Sequence, residues 1–319
     1  MSILRFLKNW TLLVAIVAGF CAYEVYAHCP WLDFTRPYAA PTVAVVQPVL
    51  IFSMLFLSFC KIDGRDLKPS KHHLWLLLIQ GLTFGGLALL LHFLPDMPGS
   101  VVVQGFMLCM ICPTATSASV ITRKLGGDAA DITSYTVLIN LSVAVIVPAL
   151  VPLFHSMGTL TFWQSFMLIL SKVFPMLILP LVCAQCCRAF LPRFTKVLIS
   201  VPDLPFYLWA VALSLAICVT TRAITHSDDS LAELAGLAIS SFLACVLQFW
   251  LGRRIGLHYG QRISAAQSLG QKNTVFAIWM GYTYLNPVTS IAGGFYSIWH
   301  NVYNTWQLKQ QRDEERKQG

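Results

Sequence analysis

Apolar residues run along this chain in blocks of about 20, each long enough to cross a ~30 Å hydrocarbon core as a helix. Polar and charged residues collect in the short stretches between them. The pattern predicts helices over residues 9–27, 41–60, 72–94, 100–122, 131–154, 163–187, 204–221, 231–251, 262–284 and 287–308. The connections leave no room for a soluble domain. Residues 1–308 read as one membrane domain with halves over about 1–155 and 160–308, and KQQRDEERKQG at 309–319 as a cytoplasmic tail. Two blocks break their own pattern. The fourth, VVVQGFMLCMICPTATSASVITRKLGG, contains Pro113, which removes a helical hydrogen bond, followed by Thr114, Thr116, Ser117 and Ser119. The ninth contains SLGQKNT, with Gly270 beside Gln271, Lys272 and Asn273. Backbone that leaves helical geometry at membrane depth is tolerated only where it is buried in protein or lines a cavity.

Each interrupted block is the fourth of five. Interrupted segments at matching positions of two halves point to a secondary transporter built from inverted repeats, since an odd number of spans turns the second half over. The expected fold is therefore all-α: ten transmembrane helices in two inverted five-helix repeats, with helices 4 and 9 broken and crossing near mid-membrane. There they would present helix ends and unpaired backbone groups to a solute. No residue-level repeat relates the halves.

Charge sets the orientation. Of the 22 Lys and Arg residues, Lys172 and Lys272 fall inside spans, and Arg36 and Arg222 face one side. The other 18 all face the opposite side, which is cytoplasmic by the positive-inside rule, so both termini are expected inside. The net charge of +8 is then a matter of topology rather than of nucleic-acid binding. The first span, with its basic start and Ala27, also has the form of a signal peptide. Cleavage would leave nine helices, whereas an even count suits the symmetry. Cys29 alone among the ten cysteines is clearly external, so no external disulfide is expected, and the adjacent Cys186 and Cys187 lack zinc spacing. Lys172 and Glu24 read as interfacial, and Gln104, Gln164 and Gln248 as pathway lining or ties between helices.

At the level of motifs the chain resembles the bile acid:sodium symporter family. CPTATSASVIT is similar to that family's Cys-Pro-Gly-Gly-x-x-Ser-Asn-x-x-Thr segment, and SLGQKNTVFAI to its Glu-x-Gly-x-Gln-Asn-Ser segment. FYSIWHNVYNT resembles its Ser-x-Trp-His-Asn stretch, and PVLIFSMLFLSFCKIDGRDLK its early helix ending in a polar loop. The resemblance implies a panel of four helices facing a core of six, and transport of organic anions ranging from bile acids to small carboxylates. By position it implies that Thr116 and Asn273 face substrate; Ser117 beside them is a further candidate, and so is His300, which either lines the cavity or ties helices together.

The departures change the coupling expected. Ser268 stands where the family has an acidic sodium ligand, Lys272 where it has a glutamine ligand, and Ser119 where it has an asparagine. Thr136 keeps a ligand oxygen in register, and Gln80 resembles the glutamine that completes a second sodium site. An ammonium repels sodium: at an effective dielectric of ~20, unit charges ~4 Å apart repel by about 4 kcal/mol. Vestigial sodium sites are thus expected, with no metal and no cofactor. Lys272 would replace one ion, taking oxygens from Gln80, Ser268 and backbone carbonyls, and a proton would be the alternative coupling ion. Two other classes compete. One is an intramembrane hydrolase using Ser268 and His300, which lacks a Gly-x-Ser-x-Gly elbow. The other is an uncoupled, channel-like facilitator. Short loops favour a bacterial inner membrane. Substrate identity, transport direction and oligomeric state are open at this level.

Overall fold

The computed structural model describes residues 11–201, 204–227 and 230–318. Arg5 and Lys8, the first two residues of the first predicted span and Gly319 lie outside them. The described residues fold into thirteen α-helices and no strand. They are α1 (Thr11–His28), α2 (Arg36–Cys60), α3 (Lys71–Phe93), α4 (Ser100–Ile111), α5 (Ala118–Lys124), α6 (Ala129–Phe154) and α7 (Phe162–Phe190). There follow α8 (Pro192–Ile199), α9 (Leu204–Thr225), α10 (Leu231–His258), α11 (Arg262–Gly270), α12 (Thr274–Tyr284) and α13 (Ser290–Gln318).

Seven of these, α1, α2 extended from Pro30, α3, α6, α7, α9 and α10, are long and apolar enough to cross a membrane. This is a multi-pass integral membrane protein. Outward-facing Leu82, Phe93, Val145 and Trp250 are exposed, as lipid contact requires.

Helix starts follow local chemistry. Ser230 and Glu233 form a reciprocal capping box at α10, and Thr161 and Gln164 another at α7. Gln164 is thus a cap. Asp128 accepts from the N–H groups of Ala130 and Asp131 at the start of α6. The predicted last span begins three residues late, at Ser290, because Asn286 caps a short 3-10 turn over Pro287–Thr289. The predicted tail continues α13 as helix through Gln318. In the loop after α2, the Arg65 side chain and N–H hold the Asp63 carboxyl well below the usual carboxylate range. Arg188 of α7 also reaches Asp63, and donates to Cys60 O.

Two packing groups result. α1 lies against α9, α9 against α2, and α2 against α7. The second group gathers α10, α11, α4 and α13, with α3 and α6 alongside. The short helices α4, α5, α11 and α12 sit within this second group, and almost every residue from Ser264 to Gly281 is buried there. Gly270 is required for the approach: a Cβ on it would meet the Phe249 ring of α10 at 2.4 Å.

Candidate functional site

The chain leaves helical geometry between α4 and α5, and again between α11 and α12. Pro113 restrains Cys112 to an extended conformation, φ −49° and ψ 136°, which ends α4. Gln271 is also extended, and Asn273 caps α12 by accepting from Phe276 N–H at 3.3 Å. The two interruptions lie antiparallel, bridged at Thr114 and Lys272. Ala115 N–H donates to Gln271 O at 2.9 Å, and Asn273 N–H to Pro113 O at 2.8 Å. Side chains extend the pairing: Thr114 Oγ1 donates to Ser268 O at 2.8 Å, Gln271 Nε2 to Ser117 Oγ at 2.9 Å, and Cys112 Sγ to Asn273 O at 2.9 Å. Tyr296 of α13 donates to Gly270 O at 2.8 Å. Each break therefore supplies the backbone partners the other lost.

The open carbonyls at the end of α4 collect three long side chains. Gln248 Nε2 of α10 donates to Cys109 O at 3.2 Å. Gln80 Nε2 of α3 donates to Met110 O at 2.7 Å and to Cys112 O at 3.3 Å. Lys272 Nζ donates to Met110 O at 3.2 Å. The ammonium thus lies at the negative end of α4. It is 1 % exposed, and no carboxylate pairs with it among the described residues.

Lys272 does not take side-chain oxygens from Gln80 or Ser268, as the sequence suggested. Gln80 Oε1 accepts from Tyr135 of α6, and Gln80 spends its N–H₂ group on the end of α4. Ser268 contributes its main-chain oxygen to Thr114, and its Oγ is buried without a partner among the described residues. Lys272 meets Gln80 only at the shared Met110 carbonyl. Thr136 turns its hydroxyl to Ile132 O of its own helix at 2.8 Å.

Of the residues expected to face a solute, Thr116 is half-buried, Ser117 exposed and Asn273 buried, all within or beside the paired breaks. Ser119 is half-buried in the first turn of α5. Asn273 Nδ2 and Gln271 Oε1 are buried without partners among the described residues. His300 stands apart, edge-on to Tyr296 with ring centroids 5.7 Å apart. Among the described residues Ser268 Oγ has no partner, so it makes no hydrogen bond to His300, and the pair has no nucleophile-and-base geometry. Gln248 ties α10 to α4 and to Tyr296, while exposed Lys172 lies on an outer face. The sequence reading missed Tyr135 and Tyr296. In an apolar span a tyrosine looks like filler until its hydroxyl is seen to find a carbonyl.

A cavity of about 550 Å³ opens beside the start of α11, lined in part by Arg253, Ser264 and Gln307. Another of about 500 Å³ opens beyond the end of α12, lined in part by Arg222, Tyr282 and Asn286. The paired breaks lie between these two ends of the interrupted α11–α12 path.

The family model described as the SBF-like CPA transporter family matches residues 10–308. No curated protein matches the sequence significantly.

Proposed function

The chain belongs to the SBF-like CPA transporter family, and on that premise we propose that it is a secondary active transporter of an organic anion, working by alternating access. The observation that carries the proposal is the pairing of two interrupted helices through Thr114 and Lys272, with the ammonium on the Met110 carbonyl. In this reading α4 with α5, and α11 with α12, are each one broken span. Together with α13 and the seven long apolar helices they make ten, arranged as two inverted repeats over about 1–155 and 160–308. α1, α2, α7 and α9 form the panel, and the remaining spans form the core that moves against it. Both termini lie in the cytoplasm of a bacterial inner membrane.

Thr116, Ser117 and Asn273 offer hydrogen bonds to the anion, aided by the N-terminal ends of α5 and α12, and buried His300 is a further substrate contact once the core moves. Lys272 stands in for one sodium ion, and Ser268, Gln80, Ser119 and Thr136 surround a cation site that has lost its carboxylate. A lysine ammonium has three N–H donors, of which one is engaged among the described residues. Its coupling partner is a proton, gained and lost as the crossing moves between solvent-facing states.

The test is thermal stabilisation of purified protein by a panel of organic anions, in sodium or choline and at two pH values, for wild type and Lys272→Gln. Stabilisation that ignores sodium, changes with pH in wild type and loses that change in the variant is the expected result. A strict sodium requirement would return the chain to sodium coupling. Stabilisation by no anion would remove the substrate class.

A further inference from the structure

Away from the crossing, the starts of α3 and α6 meet at a buried cluster to which the sequence reading assigned nothing. His72 and His73, in the first turn of α3, are each 1 % exposed. His72 Nε2 lies 3.0 Å from Asp131 Oδ2, and His73 Nε2 lies 3.1 Å from Asp131 Oδ1. One ligand atom from each of the three falls within 4.8 Å of the others. The rings of Tyr259 and Tyr135 close over the two imidazoles, at 5.8 and 5.6 Å between centroids.

The hydrogen-bond inventory identifies what these atoms ask for. Ser70 Oγ donates its proton to Asp131 Oδ1 at 3.2 Å. It also lies 3.0 Å from His72 Nδ1, a contact in which either atom can supply the proton. His72 Nε2 lies within hydrogen-bonding reach of Asp131 Oδ2 at 3.0 Å, so the space between them takes either the imidazole proton or a metal cation. His73 Nε2 also faces the carboxylate, but out of line for a hydrogen bond. Two imidazole nitrogens and one carboxylate converge, and Ser70 Oγ stands where it would accept from His72 Nδ1–H once Nε2 held a metal, as outer partners of metal ligands do.

We propose that His72, His73 and Asp131 bind a divalent transition metal of the zinc type, which clamps the start of α3 to the start of α6. Two imidazoles and a carboxylate suit zinc in a site that keeps a fourth position for water. Coordination through His73 Nε2 places the other ring proton on Nδ1, so the 3.2 Å bond from Ser70 N–H to that nitrogen is given up. The competing occupant is a ring proton on His72 Nε2, which would satisfy Asp131 without a metal. The two helices held this way are those that carry Gln80 and Tyr135 into the crossing.

The experiment uses full-length, tag-free protein in detergent, stripped with a chelator and titrated with zinc chloride alone. One tight equivalent is expected, with a rise in Tm of at least about 3 °C at saturation. Asp131→Asn and His73→Gln are expected to weaken binding at least 100-fold, while Cys186→Ser/Cys187→Ser leaves it unchanged. X-ray absorption on wild-type protein provides a reading that does not depend on folding of the variants. Nitrogen and oxygen neighbours with imidazole back-scattering support the site. Sulfur neighbours, retention of zinc by Asp131→Asn, or no tight equivalent in wild type would overturn it, the last leaving the proton as occupant. None of these outcomes depends on transport.

Discussion

Lys272 is a buried lysine held on a helix-end carbonyl, with no carboxylate partner among the described residues. Removing an ammonium from water costs several kcal/mol even after relaxation. A helix C-terminus in a favourable buried geometry returns up to ~2 kcal/mol. On the proposed function, the remaining cost is what an anionic substrate would offset. Lys272→Gln is therefore expected to fold, with unchanged or higher melting temperature, while anion-induced stabilisation falls at least 10-fold in apparent affinity. Tyr135→Phe tests the neighbouring contact. It leaves Gln80 Oε1 without its donor and is expected to destabilise by about 1–3 kcal/mol in chemical denaturation. At Gly270 the argument is steric. Alanine there would press on the Phe249 ring and cost about 1–3 kcal/mol, and a second change, Phe249→Leu, should recover part of the loss in the same assay.

At the scale of elements, the breaks are made by ordinary local chemistry but held by each other. Pro113 ends α4, and Asn273 starts α12. Neither break could persist alone in a membrane, because its freed N–H and C=O groups would have no partner. Pro113→Ala permits α4 and α5 to continue as one helix. The expected outcome is slower hydrogen exchange across 112–117, with loss of anion-induced stabilisation in a protein that still purifies folded. Unchanged exchange would mean that the pairing with Lys272, rather than the proline, imposes the break. Both interruptions were legible in the sequence, because polar residues and a proline or glycine stand out within apolar blocks. The partners of Lys272 were not legible. Resemblance pointed to Gln80 and Ser268 side chains, but the end of α4 offers stronger acceptors and draws Gln80 to itself.

For the whole molecule, the proposed topology places Cys29 and Cys186 on opposite sides. Cys186 is exposed near the end of α7, and Cys29 half-buried beyond α1. In single-cysteine variants a membrane-impermeant maleimide is expected to label Cys29 in right-side-out vesicles and Cys186 only in inverted ones. Labelling of both from one side would overturn the ten-span count. Under the proposed function, the two cavities with arginines at either end of the interrupted α11–α12 path would be the mouths of the anion route.

Apolar block length and the clustering of Lys and Arg were enough to establish a polytopic helical membrane protein, since both follow from the cost of burying backbone and charge in hydrocarbon. The interruptions at Pro113 and Gly270 were readable for the same reason. Only the tertiary structure decided that Lys272 rests on Met110 O, that Tyr135 takes Gln80, and that His72, His73 and Asp131 meet. Those contacts join residues 55 or more positions apart. Hydrophobic periodicity says which face of a helix is apolar, and is silent on which distant hydroxyl, amide or carboxylate that face will meet.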